Sequence, residues 1–145
     1  MTMEKYDVFI SYQHDIADLI ETVDMELKKK GIQCFRDKKS IKWGDNIIDK
    51  INEGLKTADI FLLFINEKFL KSGWTKQETS AALNLYLKNI SKKRVLGILL
   101  DKTAEEYWLN EPLMEVIQAY KWDGKVSELE EMVTLIKDIL DDVRV

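Results

Sequence analysis

Six consecutive apolar residues, Ile60-Phe61-Leu62-Leu63-Phe64-Ile65, stand with no polar position between them. A half-exposed strand alternates polar and apolar residues, so an unbroken run of this length predicts a strand covered on both faces, as in a parallel sheet. Shorter apolar runs predict further strands over Tyr6–Tyr12, Ile32–Phe35, Val95–Leu100 and Ala119–Trp122, with the central one running Asp59–Ile65. Helical spacing fills the intervals. Ile16, Leu19, Ile20, Val23 and Leu27 form one stripe, which Gly31 terminates. Ile47, Ile48, Ile51 and Leu55 form a second, and Ala81, Ala82, Leu85 and Tyr86 mark a helix starting near Trp74. A short helix is expected over Glu111–Gln118, with the only proline, Pro112, near its start. Leu129, Met132, Val133, Ile136, Ile139 and Leu140 mark the last helix. Strands and helices in strict alternation predict an α/β fold: a flavodoxin-like, doubly wound, parallel five-stranded sheet with helices on both faces.

The length of 145 residues fits one domain, 1–145, with enough apolar residues for a core. Twenty-two basic against 26 acidic residues give a net charge of −4, which argues against a nucleic-acid partner. The runs Lys28-Lys29-Lys30 and Lys92-Lys93-Arg94 lie at expected helix ends, where cations offset the helix dipole. One cysteine, Cys34, excludes an intrachain disulfide and suits a reducing cytoplasm; its place in a strand predicts a small buried residue. One histidine, His14, without a cysteine cluster, offers no metal site. No apolar run approaches the ~20 residues that span a bilayer, and the first residues carry no secretory pattern, so no membrane partner is expected.

In an open parallel sheet, ligands bind in the crevice beyond the carboxyl ends of the strands. Glu78 and Trp74 follow the central strand and lie four residues apart, which puts an acid and a flat aromatic on one helix face. Thr75-Lys76-Gln77-Glu78 also fits a capping box, in which Glu78 serves only its own helix. Against that, Ala81, Ala82 and Leu85 continue the Glu78 line, so the acid falls on the apolar face. Trp43-Gly44 sits in the loop after the second strand, at the same sheet edge as Trp74. Each tryptophan is either packing or one wall of a site for a planar heterocycle. Ser11, Tyr12, Gln13 and His14 end the first strand at that edge, with Asp15 read as the start of a helix. Asp7, a charge inside the first strand, requires a hydrogen-bond partner. The scattered glycines include no fingerprint for a dinucleotide phosphate loop.

The order of these segments resembles that of Toll/interleukin-1 receptor (TIR) domains of the bacterial type. Tyr6-Asp7-Val8-Phe9-Ile10-Ser11-Tyr12 is similar to the family's first box. Arg36-Asp37, Ile41, Gly44, Ile48, Ile51 and Leu55 resemble the second box, which includes the so-called BB loop. Ala58-Asp59-Ile60 through Ser72-Gly73-Trp74, with Glu78, resembles the segment ending in the glutamate of the enzymatic members. Tyr120-Lys121-Trp122 resembles a weak third box. The sequence departs from some members at Asn46, where an aromatic follows the loop glycine, and at Gln13, where an arginine follows the first box; Trp43 is the candidate replacement for that aromatic.

The resemblance implies cleavage of the nicotinamide–ribose bond of NAD+, giving nicotinamide and ADP-ribose or a cyclic isomer. NAD+ is the substrate in this chemistry, and no separate cofactor or metal is implied. Glu78 would be the catalytic glutamate and Trp74 a pocket aromatic, with Ser72 and Ser11, Tyr12 and Gln13 along the ribose and nicotinamide side. Asp37, Ile41, Trp43 and Gly44 would belong to the loop through which TIR domains self-associate. The family also implies cytoplasmic action, a fused or associated sensor domain, and a role in bacterial antiviral defence. Two other functions have to be weighed. A non-catalytic TIR–TIR scaffold would use the same loop without needing Glu78. A phosphoacceptor receiver domain of the same fold would need clustered acids after strand one and an aspartate ending strand three, where this chain has Ser11-Tyr12-Gln13 and Asn66.

Overall fold

The computed structural model describes residues 6–36, 54, 56–71, 94–110 and 117–144. Within them the apolar run of the sequence becomes the central strand. The strands are β1 (Tyr6–Ser11), β2 (Cys34–Arg36), β3 (Ala58–Ile65), β4 (Arg94–Leu99) and β5 (Gln118–Lys121). They form one sheet in the order β2-β1-β3-β4-β5, every pairing parallel. Apart from Asp59, every residue of β3 is buried, which is why no alternation was visible in the sequence. Ile60, Leu62 and Phe64 point into one core and Phe61, Leu63 and Ile65 into another, on opposite faces of the sheet.

Helix α1 (Ala17–Lys29) and the last helix, α4 (Leu129–Val143), cover the first face. On α1, Ile20, Val23 and Leu27 are buried and Leu19 is partly so. Gly31 ends the helix at φ +78°, with its own amide on Lys28 O (2.9 Å) and that of Ile32 on Leu27 O (3.0 Å), a Schellman closure. All six apolar positions expected on α4 are buried. Helices α2 (Glu67–Lys71) and α3 (Lys102–Asn110) contribute to the other face through Phe69, Ala104 and Trp108. Gly54 also belongs there: a Cβ on it would lie 2.3 Å from the Phe61 ring.

The connection between β4 and β5 differs from expectation. The described helix is α3, which lies earlier than Glu111–Gln118; residues 111–116 are outside the described part, and Gln118 opens β5 rather than closing a helix. Asp101 explains the earlier start, because its Oδ1 accepts from Ala104 N at 2.9 Å as a helix cap does. Ala104 and Trp108, one turn apart, then face the sheet. Trp108 fits because β4 carries Gly97 opposite it, where a Cβ would come within 2.7 Å of the indole.

At the amino edge of the sheet, Asp7 has the partner it requires. Its Oδ2 accepts from Gln33 N at 2.7 Å, and its Oδ1 pairs with the Arg144 guanidinium at the end of α4. Arg144 Nε also donates to Asp59 Oδ2 at 3.0 Å. One cation thus joins the first residues of two central strands to the last helix, and these acids hold the guanidinium more firmly protonated than usual.

Candidate active site

The chain leaves β1 toward one face of the sheet, through α1, and leaves the neighbouring strand β3 toward the other, through α2. Adjacent strands whose connections diverge leave a crevice at their carboxyl ends, the usual ligand position in this architecture. Ser11 ends β1 there, opposite Leu63 of β3. Its side chain is fully buried, and among the described residues its Oγ has no hydrogen-bond partner. A buried hydroxyl left unpaired costs about 1–3 kcal/mol, so it is a local sacrifice of stability at the sheet edge.

Tyr12 is 6% exposed and packs in the core on the α1 side, so its ring is chiefly structural. Gln13 begins a 3-10 turn, His14–Ile16, and its Oε1 caps that turn by accepting from Asp15 N at 2.9 Å. His14 and Asp15 are exposed. Asp15, in the first turn of this 3-10 segment that leads directly into α1, begins the helical stretch as expected and forms an ion pair with Lys68 of α2. That contact links the two segments that diverge at the crevice. Hydrogen bonding to Lys68 first, then its charge, keeps the Asp15 carboxyl below the ordinary range.

The floor on the β3 and β4 side is braced by two caps. Asn66 Oδ1 accepts from Phe69 N (2.8 Å), which starts α2 immediately after β3. Asp101 reaches both α2 and α3: Oδ2 accepts from Glu67 N and Oδ1 from Ala104 N, each at 2.9 Å. Neither these caps nor Lys68 emerged from the sequence reading. Asp and Asn directly after an apolar strand are a sufficient signal for the caps; the Asp15–Lys68 pair spans 53 positions and leaves none.

Of the residues expected to form the site, the structure places Ser11, Tyr12 and Gln13 together at this edge. Trp43, Ser72, Trp74 and Glu78 lie outside the described residues, as do Asp37, Ile41 and Gly44 of the expected assembly loop. Cys34 is half-buried, and burial, followed by the charge of Asp24, pushes its thiol pKa far up, so it is an unreactive packing residue. Among the described residues no group of His, Cys, Asp and Glu side chains could hold a metal ion, and no helix is long and apolar enough to cross a membrane.

Comparisons with known proteins extend beyond the described residues. A probable 2' cyclic ADP-D-ribose synthase of Methanobrevibacter olleyae is 32% identical over 104 residues, covering 71% of this chain and 30% of that protein. An NAD(+) hydrolase of Staphylococcus aureus is 28% identical over 137 residues, covering 94% of this chain and 48% of that one. The chain therefore spans less than half the length of these relatives. In structure it is similar to the TIR domain of a Toll-related receptor from Hydra magnipapillata, with a TM-score of 0.57, 18% identity, and coverage of 97% of this chain and 100% of that one. That likeness establishes the flavodoxin-like α/β fold. The sequence model of the TIR domain matches residues 8–134, and on that match the chain belongs to the TIR domain family.

Proposed function

We propose that this TIR domain cleaves the nicotinamide–ribose bond of NAD+, releasing nicotinamide and leaving ADP-ribose or a cyclic isomer. The observation that carries this is the family match over residues 8–134, which contains Trp74 and Glu78, together with relatives named for NAD+ hydrolysis and cyclic ADP-ribose synthesis. The unpaired Ser11 hydroxyl at the carboxyl edge supports it, since a polar group left unsatisfied there costs stability without any structural return.

The chemistry needs few groups. Nicotinamide leaves as a neutral molecule from a pyridinium, taking the electron pair of the C–N bond, so no general acid has to protonate it. That is why one carboxylate suffices where ordinary glycosidases use two. Glu78 stabilises the positive charge that grows on the ribose ring, or fixes the ribose hydroxyls while it grows. Trp74 stacks on the pyridinium, a contact that weakens once the ring is neutral and thus favours departure of the product. Ser72 and the Ser11–Gln13 segment line the ribose and nicotinamide side, with Trp43 as a second aromatic wall. Water attacking the ribose carbon and losing its proton gives ADP-ribose; an internal nucleophile gives the cyclic isomer. NAD+ is the substrate, with no further cofactor.

Activity depends on self-association through the loop carrying Asp37, Ile41, Trp43 and Gly44, so that one protomer's loop completes its neighbour's site. A sensor domain, fused or associated, drives that assembly in the cytoplasm during antiviral defence. The lone cysteine supports a reducing compartment. Nicotinamide release from NAD+ by the concentrated protein, compared with its Glu78→Ala variant, tests the proposal. Turnover that disappears in the variant supports it, whereas equal turnover in both removes Glu78 from the chemistry.

A further inference from the structure

Asp24 sits on the core-facing side of α1. It lies four residues after Ile20 and three before Leu27, positions that face the sheet, and its side chain is only 10% exposed. A carboxylate buried there requires a partner. Its Oδ2 lies 3.2 Å from Nε of Arg36, the last residue of β2. Its Oδ1 is buried without a hydrogen-bond partner among the described residues. The Cys34 thiol is a second neighbour of this carboxylate, whose charge helps raise the thiol's pKa.

The Asp24–Arg36 pair fixes the guanidinium. A guanidinium is planar by resonance, and one anchored at Nε still has its two terminal nitrogens to offer a phosphate or carboxylate two parallel hydrogen bonds. Those terminal nitrogens have no other partner among the described residues. One-third of the Arg36 side chain remains exposed. Together with Tyr12, His14, Ala17 and Cys34, it lines a cavity of about 500 Å3. That volume falls within the roughly 300–1,000 Å3 of small-molecule sites and exceeds what an inorganic anion needs. Arg36 is paired with Ile10 in the sheet, so its end of the cavity lies near the carboxyl edge that carries Ser11, Tyr12 and Gln13, while Tyr6 and Phe35 carry the wall back along β2 and Asp24 also lines it.

We propose that Arg36, oriented by Asp24, binds the diphosphate of an adenine nucleotide in this cavity and anchors the ADP half of NAD+. Asp24 is a positioning residue that acts through Arg36, and His14 supplies a further donor on the cavity wall. The assignment presupposes NAD+ as substrate, yet ADP alone reports on it, because ADP has no nicotinamide bond to cleave.

His14 is the only histidine of the chain, so its imidazole carbon–proton signals give an assigned probe in the cavity wall. ADP titrated into the full chain is expected to shift those signals, with adenosine much weaker. Arg36→Gln should weaken ADP about tenfold or more, the loss expected for a charge-assisted pair. It should raise KM for NAD+ with little change in kcat. Asp24→Asn should act in the same direction by less, and Arg36→Lys should restore part of the affinity. Unshifted His14 signals at saturating ADP, adenosine binding as tightly as ADP, or equal ADP affinity in Arg36→Gln would each overturn the site. If Arg36→Gln fails to fold, the wild-type comparison of ADP with adenosine at His14 decides. Nicotinamide release without any His14 response sinks the site and leaves the NAD+ proposal standing; ADP binding at Arg36 without release does the reverse.

Discussion

The two ends of the parallel sheet are built to opposite specifications. At the amino edge the charges are matched: Asp7 takes the Gln33 amide and the Arg144 guanidinium, and Asp59 shares the same arginine. At the carboxyl edge of the same strand, Ser11 is buried with its hydroxyl unpaired among the described residues, and Arg36, held by Asp24, lines a cavity. Among the described residues, the polar groups at one end of β1 are paired and the Ser11 hydroxyl at the other end is not. Parallel sheets place connections and helix termini asymmetrically, and ligands collect at the carboxyl end for that reason. Here the asymmetry extends to individual hydrogen bonds.

The largest effect should come from breaking the satisfied end. Asp7→Ala leaves the Gln33 amide without its acceptor and Arg144 with Asp59 alone, and a loss of about 2–3 kcal/mol in denaturant unfolding is expected. Loss of under half that amount would mean the amino edge is no better tied than a solvated surface. Asp101→Ala removes caps from two helices at the carboxyl edge and should cost about 1–2 kcal/mol. A smaller cost would show that the crevice floor does not depend on this brace. Ser11→Ala sharpens the contrast, since it deletes an orphan rather than a bond. Its melting temperature should match or exceed the wild type's while KM for NAD+ rises, and a clear drop in melting temperature would contradict an unpaired hydroxyl.

The smallest effect concerns acid. The Asp15 carboxyl is depressed by Lys68, so the pair contributes stability above the ordinary carboxylate range and loses it as pH falls through the lowered folded-state pKa. Lys68→Met should therefore separate slightly from wild type in melting temperature near neutrality and converge with it in acid. Curves separated most widely in acid would reverse the sign. Because both side chains of the pair are exposed, the separation stays small.

Much of the frame was legible in the residues. The unbroken run 60–65 gave the buried central strand, the spacing of Leu129 to Leu140 gave the last helix, and a lone aspartate in β1 implied a partner. The identity of that partner was not legible, because Arg144 lies 137 positions away. The α3 helix was not read because its stripe is thin: only Ala104 and Trp108 are buried, and the decisive signal was the cap at Asp101. Asp24 was passed over because it occupies a core-facing position among Ile20, Val23 and Leu27, and counting apolar residues alone treats a misplaced charge as noise. For the candidate site, Ser11, Tyr12 and Gln13 were read to the correct edge from strand polarity alone, although Tyr12 proves to be mostly core and Gln13 mostly a cap.

The central claim is that the unsatisfied carboxyl edge serves cleavage of NAD+ with Glu78 as its carboxylate. The direct measurement is nicotinamide released from NAD+ at high protein concentration by wild type and by Glu78→Gln, with both melting temperatures recorded. The expected result is turnover by wild type and a fall of at least about a hundredfold in an equally stable variant. Turnover that survives the substitution, or its absence from an assembled wild type, would contradict the account.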